Sequence, residues 1–406
     1  MHQLRFDVRD VFKSPRFALS LQRIWIQFLG SVFGYIGYLF FTYISFVTAG
    51  VGLSNGWKKF GLLPCLFSET HNWYSLLIYL VGLLWLVAVY LISATAVSRA
   101  TYMLVKENHF YSWTDAIRFA LRKTASILLS PIAILLIIVA FLAGGAIIGL
   151  LGKIPFVGEF GVTIFTFFWF IASLFVVFLG IILAVTLLQT PAILATTNDD
   201  AFEAVFQSFS LVWSQPWRLI LYEVVSAAMA VIGTLILAFL SKKAFIVMDR
   251  VFSSVMGADF INIASHGLYI LNAWLFHSIA WVDSILGDMS AMVYFSREFI
   301  PLTLPHGYQY VASYIFVFWM LIIGGLILSY GLATYNVGNT LSYLILRKKK
   351  DDENLLERKD AEEEEDEEAE KDTEGEVAEE SQPEEIAENT EEKETKDKKK
   401  KSKDSD

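Results

Sequence analysis

The 406-residue chain holds one cysteine, Cys65, which excludes an intramolecular disulfide and any cysteine-based metal site. It has no Asn-x-Ser/Thr sequon, Walker loop, Gly-x-Ser-x-Gly elbow, dinucleotide-binding glycine pattern or paired catalytic carboxylate. His266 and His277 lie too far apart for the usual i, i+4 metal pair. A site joining His266, His277 and Asp283 would need them to converge in space. No metal, cofactor or enzymatic activity is expected, and nothing points to nucleic acid. The first apolar run is too long for a signal peptide, and no small-residue cleavage site follows it.

Charge is scarce where apolar residues are dense. With 55% apolar content and a mean hydropathy of +0.50, the apolar residues gather in runs long enough for a helix to cross about 30 Å of hydrocarbon. The net charge of −10 averages two regions. Residues 351–406 carry 27 acidic against 10 basic residues, whereas residues 1–350 carry 15 against 22. Such an acidic segment cannot bury enough apolar surface to offset chain entropy, so 351–406 is expected to be a disordered tail. Residues 1–350 are the membrane domain.

The expected fold is all-α, a polytopic membrane helix bundle. Its spans fall at about 24–52, 74–97, 131–151, 161–190, 217–240 and 309–333, with an external amphipathic segment at 241–308. On this count, segments on one side carry 15 basic residues before the tail, and those on the other carry 7. The basic excess predicts an inner (plasma) membrane protein with both termini cytoplasmic.

One stretch occurs twice, SWTDAIRFALRKTASILLSP at 112–131 and TNDDAFEAVFQSFSLVWSQP at 197–216. Ser112 with Asp115, and Thr197 with Asp200, have the Ser/Thr-x-x-acid spacing of a helix N-terminal cap. Pro131 and Pro216 then begin new helices. The reading is a duplicated unit of membrane helix, interfacial helix and membrane helix. In the second copy Phe202, Val205, Phe206, Phe209 and Trp213 form a stripe. In the first, Ile117, Ala120, Leu121 and Leu128 oppose Asp115, Arg118 and Arg122. Helices of this kind suit the headgroups of membrane lipids. The N-terminal interfacial helix and span one, closed by span six, would make a third, circularly split copy.

Ionisable groups in hydrocarbon are functional candidates by default. Glu223, beside Tyr222 in span five, is the candidate intramembrane polar site. It pairs with Arg218 or a nearby lysine, or else holds a cation or proton between repeats. Gly30 with Gly34, and Gly145 with Gly149, have the spacing that lets helix backbones approach.

FQSFSLVWSQPWRLILYEV at 206–224 and TLSYLILRKKKDDENLLE at 340–357 resemble a loose bacterial group of uncharacterised multi-pass proteins. That group is similar to the membrane domain accompanying some glycerophosphodiester phosphodiesterases. The resemblance implies a membrane module whose hydrolase partner is a separate soluble domain. The leading expectation is a non-enzymatic scaffold or membrane organiser whose acidic tail can dock a protein partner. The alternative is a permease for a lipid-like or small apolar solute.

Overall fold

A computed structural model describes residues 4–64, 72–108, 110–286, 304 and 306–358. Cys65, Asp288, Glu298 and nearly all of the acidic tail lie outside the described residues, as do the side chains of His277 and Asp283. The chain divides into two units, Met1–Leu356 and Glu357–Asp406, and only the first two residues of the second are described.

Every described element is a helix. In hydrocarbon no water can satisfy backbone N–H and C=O groups, so an apolar run satisfies them internally as a helix. Among the described residues, six helices are long and apolar enough to cross a membrane: α3 (Leu21–Thr48), α5 (Trp73–Val105), α7 (Thr124–Leu151), α9 (Thr166–Thr197), α11 (Pro216–Met256) and α13 (Gly307–Asp351). The protein is an all-α, multi-pass membrane protein.

The long helices pair as three antiparallel hairpins, α3 with α5, α7 with α9, and α11 with α13. Each hairpin carries one short helix. α6 (Trp113–Arg122) packs on α5 and α3, and α10 (Ala201–Ser214) on α9 and α7. α2 (Ser14–Ala18), from the other end of the chain, packs on α13 and α11. Span one therefore has span two as its main partner, and the N-terminal short helix completes the last hairpin. α1 (Val8–Val11) packs beside the end of α13, where Lys349 approaches Asp7 at 3.6 Å. Both chain ends of the bundle thus share one side, called here the terminal face. The hairpin bends carry α4 (Leu53–Phe60) and α8 (Val157–Ile164), with α12 (Ala258–Leu286) following α11, on the hairpin face.

Helix ends depart from the apolar run lengths, for a physical reason. The expected spans ended near 97, 190 and 333, whereas α5, α9 and α13 run on to Val105, Thr197 and Asp351. The extra turns include Ser98, Arg99, Thr101, Thr196, Thr334, Asn336, Asn339 and Ser342, all buried. These polar stretches contact one another at the centre of the bundle instead of leaving it. α11 also continues past 240, so the segment expected to be an external excursion from 241 begins as a projecting helix carrying Lys242, Lys243 and Arg250. Gly257, at φ +63°, turns the chain into α12. At the other end the folded unit reaches Leu356 rather than stopping at 350. The Leu355 side chain is buried, and its carbonyl accepts from the Tyr102 hydroxyl at 2.8 Å.

The two look-alike stretches are capped differently. Ser112 caps α6, its hydroxyl accepting from the Asp115 N–H at 3.2 Å, and it also bonds the Asp115 carboxylate. Thr197 does not cap α10. It is the last residue of α9 and its hydroxyl donates to the Ile193 carbonyl at 2.9 Å. The cap of α10 is Asp200, which accepts from the Glu203 N–H at 3.0 Å. Asn198, in the left-handed region that Asn tolerates, has ended α9 first. Pro216 does open α11. Pro131, expected to open a helix, lies inside α7, which starts at Thr124. Ser130 beside it donates to the carbonyls of Ser126 and Ala201, tying α7 to α10.

The stripe on α10 faces outward. Phe202, Phe206, Phe209 and Trp213 are exposed, while Ala204, Gln207, Ser208, Leu211 and Val212 are buried against the bundle. Likewise Ala116, Phe119 and Ala120 are the buried side of α6, and Leu121 is exposed. Ala116, Ala120, Ala204 and Ser208 let these short helices dock closely, with Phe119 and Leu211 anchoring them and the remaining large side chains facing the surroundings.

The glycine pairs separate in role. A Cβ at Gly30 would fall inside the Ser93 side chain, so Gly30 permits close approach of α3 and α5, whereas one at Gly34 would make ordinary contact with Leu86 and Val89. Gly145 and Gly149 meet nothing within 4 Å and do not pack within this chain. Gly30→Leu is accordingly expected to lower the thermal unfolding temperature in micelles, overpacking costing about 1–3 kcal/mol. Gly145→Leu should leave it near the wild-type value. Equal effects of the two would contradict this packing.

Candidate functional site: a polar knot within the apolar bundle

On the terminal-face half of the bundle, buried and half-buried polar side chains from five of these six spans bond to one another. Gln27 on α3 is fully buried, and its amide oxygen accepts from Asn336 Nδ2 on α13 at 2.9 Å. Its Nε2 reaches Ser93 Oγ on α5 at 3.4 Å. Asn336 Oδ1 in turn accepts from the Tyr90 hydroxyl on α5 at 3.1 Å. These bonds join α3, α5 and α13 through groups that lipid could not satisfy.

The neighbouring residue on α13 begins a second cluster. The Tyr335 hydroxyl donates to Glu223 Oε2 at 2.9 Å, and Gln189 Nε2 on α9 donates to Glu223 Oε1 at 2.6 Å. Asn339, one turn further along α13, donates to the Leu188 carbonyl at 3.5 Å. Glu223 is therefore not paired with Arg218 or a lysine, as its nearness to the helix start suggested. Its partners are neutral donors on two other helices, and it appears in none of the ion pairs among the described residues. Tyr222 belongs elsewhere: its buried ring turns to the terminal face, where the hydroxyl accepts from Lys349 Nζ at 3.2 Å.

A layer of cations seals the same end. Arg99, fully buried, donates to the Ala195 carbonyl at 3.0 Å and lies over the Phe119 ring at 4.4 Å. Lys123 donates to the Asn198 carbonyl at 2.7 Å. Both sit at the C-terminal end of α9, where final carbonyls lack helical donors and the dipole favours positive charge. Arg23 similarly donates to the Phe17 carbonyl, near the end of α2, at 2.8 Å. Arg347 bonds Gln207, Asp351 and Glu353, at 2.5, 2.9 and 2.8 Å.

The hairpin-face half is different. Along α9, Phe167, Phe168, Phe170, Ile171, Leu174, Phe175 and Val177 are exposed, on nearly every side of the helix. α7 is exposed along most of its length beyond Ile134. The α7/α9 hairpin is thus a two-helix apolar arm, joined to the other hairpins near the terminal face. The first hairpin is instead tethered to α12. Tyr38 and Tyr43 donate to the carbonyls of Pro64 and Gly61, Tyr35 bonds the Leu62 carbonyl, and the Leu62 N–H donates to the Trp274 carbonyl at 3.0 Å.

His266 packs its ring against Tyr269 and Tyr310, and Asp259 accepts from Gln309 at 3.1 Å. The amides that build the knot, Gln27, Gln189, Asn336 and Asn339, escape a search restricted to ionisable groups. Their visible signal is a single uncharged polar residue inside an apolar run, as in IWIQFLG and LLQTP. No protein-family model, curated protein or solved structure matches the chain.

Proposed function

We propose that this protein is a non-enzymatic scaffold that organises the inner (plasma) membrane around it, with both termini in the cytoplasm. The observation that carries the reading is the division of the bundle. Polar groups that could line a path are bonded to each other in one half, while the other half offers lipid a large apolar surface. The short helices support the same role. Trp113, Phe202, Phe206, Trp213 and Trp217 are exposed near the level where Arg118 and Arg122 are also exposed. Aromatic rings and basic groups together suit the headgroup region of an anionic leaflet. The acidic stretch from 357 is a docking segment for a basic protein partner.

A second reading is favoured by one observation. The apolar arm of α7 and α9 and the carboxylate of Glu223, bonded to α9 through Gln189, are what a permease for a lipid-like solute would use. Vesicles of phosphatidylethanolamine and phosphatidylglycerol containing a fluorescent lipid separate the two. The scaffold reading expects the purified protein to leave transbilayer lipid exchange at the rate of protein-free vesicles, in wild type and Glu223→Gln alike. Rapid exchange in wild type, lost in Glu223→Gln, would replace the scaffold with the permease.

Orientation is tested in intact cells with an impermeant thiol reagent in a Cys65→Ser background. Lys153→Cys, on the hairpin face, is expected to label, and Arg118→Cys, on the terminal face, only after the membrane is opened. The reverse pattern would place the termini outside.

A further inference from the structure

The Glu223 cluster has more acceptors than donors. Gln189 is fully buried and spends its amide N–H group on Glu223, leaving Oε1 without a partner. Asn339 is 2% exposed, and its Oδ1 is likewise without a partner although its Nδ2 donates to Leu188. Both oxygens of Glu223 accept from neutral donors, Gln189 and Tyr335. Buried amide oxygens are normally bonded, so two beside one carboxylate call for a common explanation.

The backbone adds oxygens at the same place. α9 reads Leu187-Leu188-Gln189-Thr190-Pro191, and the proline lies inside the helix. Pro191 has no N–H, so the Leu187 carbonyl one turn earlier loses its helical donor. The Leu188 carbonyl beside it is already turned to a side chain, Asn339. A carboxylate, two amide oxygens and the backbone carbonyls of Leu187 and Leu188 are the oxygen ligands a hard cation takes. Loosened backbone carbonyls of this kind coordinate sodium in membrane proteins. One carboxylate suits a single positive charge, whereas tight divalent sites gather several.

We propose that Glu223, Gln189 and Asn339, with the Leu188 carbonyl, form a binding site for a desolvated monovalent cation of the sodium class between α9, α11 and α13. The cation neutralises Glu223, occupies the free oxygens of Gln189 and Asn339, and fastens the α7/α9 hairpin to the last hairpin. The proposal stands apart from the scaffold reading, since a bound cation can be structural or coupled to transport.

The test uses the purified full chain in micelles at constant ionic strength, with sodium chloride exchanged for N-methylglucamine chloride. Expected are saturable binding of radioactive sodium and a saturable rise in Tm of about 2 °C. Asn339→Ala should weaken sodium binding at least tenfold, Glu223→Gln should abolish both signals, and Arg118→Gln should change neither. Should Glu223→Gln not fold, wild type and Asn339→Ala decide. No saturable sodium binding in wild type, or sodium binding unchanged in the variants that fold, would overturn the site. Lipid exchange is read separately, so failure here leaves the scaffold reading standing.

Discussion

In hydrocarbon a polar group that finds no partner inside the protein finds none at all, and this bundle is arranged around that constraint. Gln27, Asn336 and Tyr90 bond to one another across three helices, and Glu223, Gln189 and Tyr335 do so across three, with α13 common to both sets. Once those bonds are made, the register of α3, α5, α9 and α11 against α13 is set. Sliding any of them by one residue would move an amide out of reach of its partner. Apolar packing alone would not select a register so sharply, because lipid tails compete equally well for the same surfaces.

The knot also explains the unequal halves of the molecule. Helices α5, α9 and α13 can carry polar residues through their final turns because each is surrounded there by the other two. Away from that centre α7 and α9 are apolar on nearly all sides and need no protein neighbour, so they separate from the rest. Arg99 and Lys123 then close the C-terminal end of α9 with charge, and α10 docks by small residues while Phe202, Phe206 and Trp213 face outward. The terminal face is joined by hydrogen bonds across the hairpins, whereas the far end of the α7/α9 hairpin is left to lipid.

Much of this architecture was legible in the residues. Six apolar runs of sufficient length appear in the chain, and six helices of matching character appear in the fold. Helix ends were not legible, because a polar stretch such as Thr334–Ser342 reads as leaving the membrane unless one knows that α5 and α9 cover it. The caps illustrate a second limit. Ser112 and Thr197 have the same spacing to an aspartate, yet Thr197 turns its hydroxyl back into α9 while Asp200 caps the next helix. The pairing of Glu223 failed for a third reason: nearness in sequence favoured Arg218, whereas its partners come from residues 34 and 112 positions away.

The account rests on coupling between the helices through buried amides, and a double-mutant cycle on Gln27 and Asn336 measures that coupling. Gln27→Leu, Asn336→Leu and the pair would be compared by reversible unfolding in mixed micelles. The knot predicts that each single change destabilises the bundle and that the pair costs less than the sum, with a coupling of about 0.5–2 kcal/mol. Strictly additive costs, or single changes without effect, would mean that apolar packing and not the polar knot holds the spans in place.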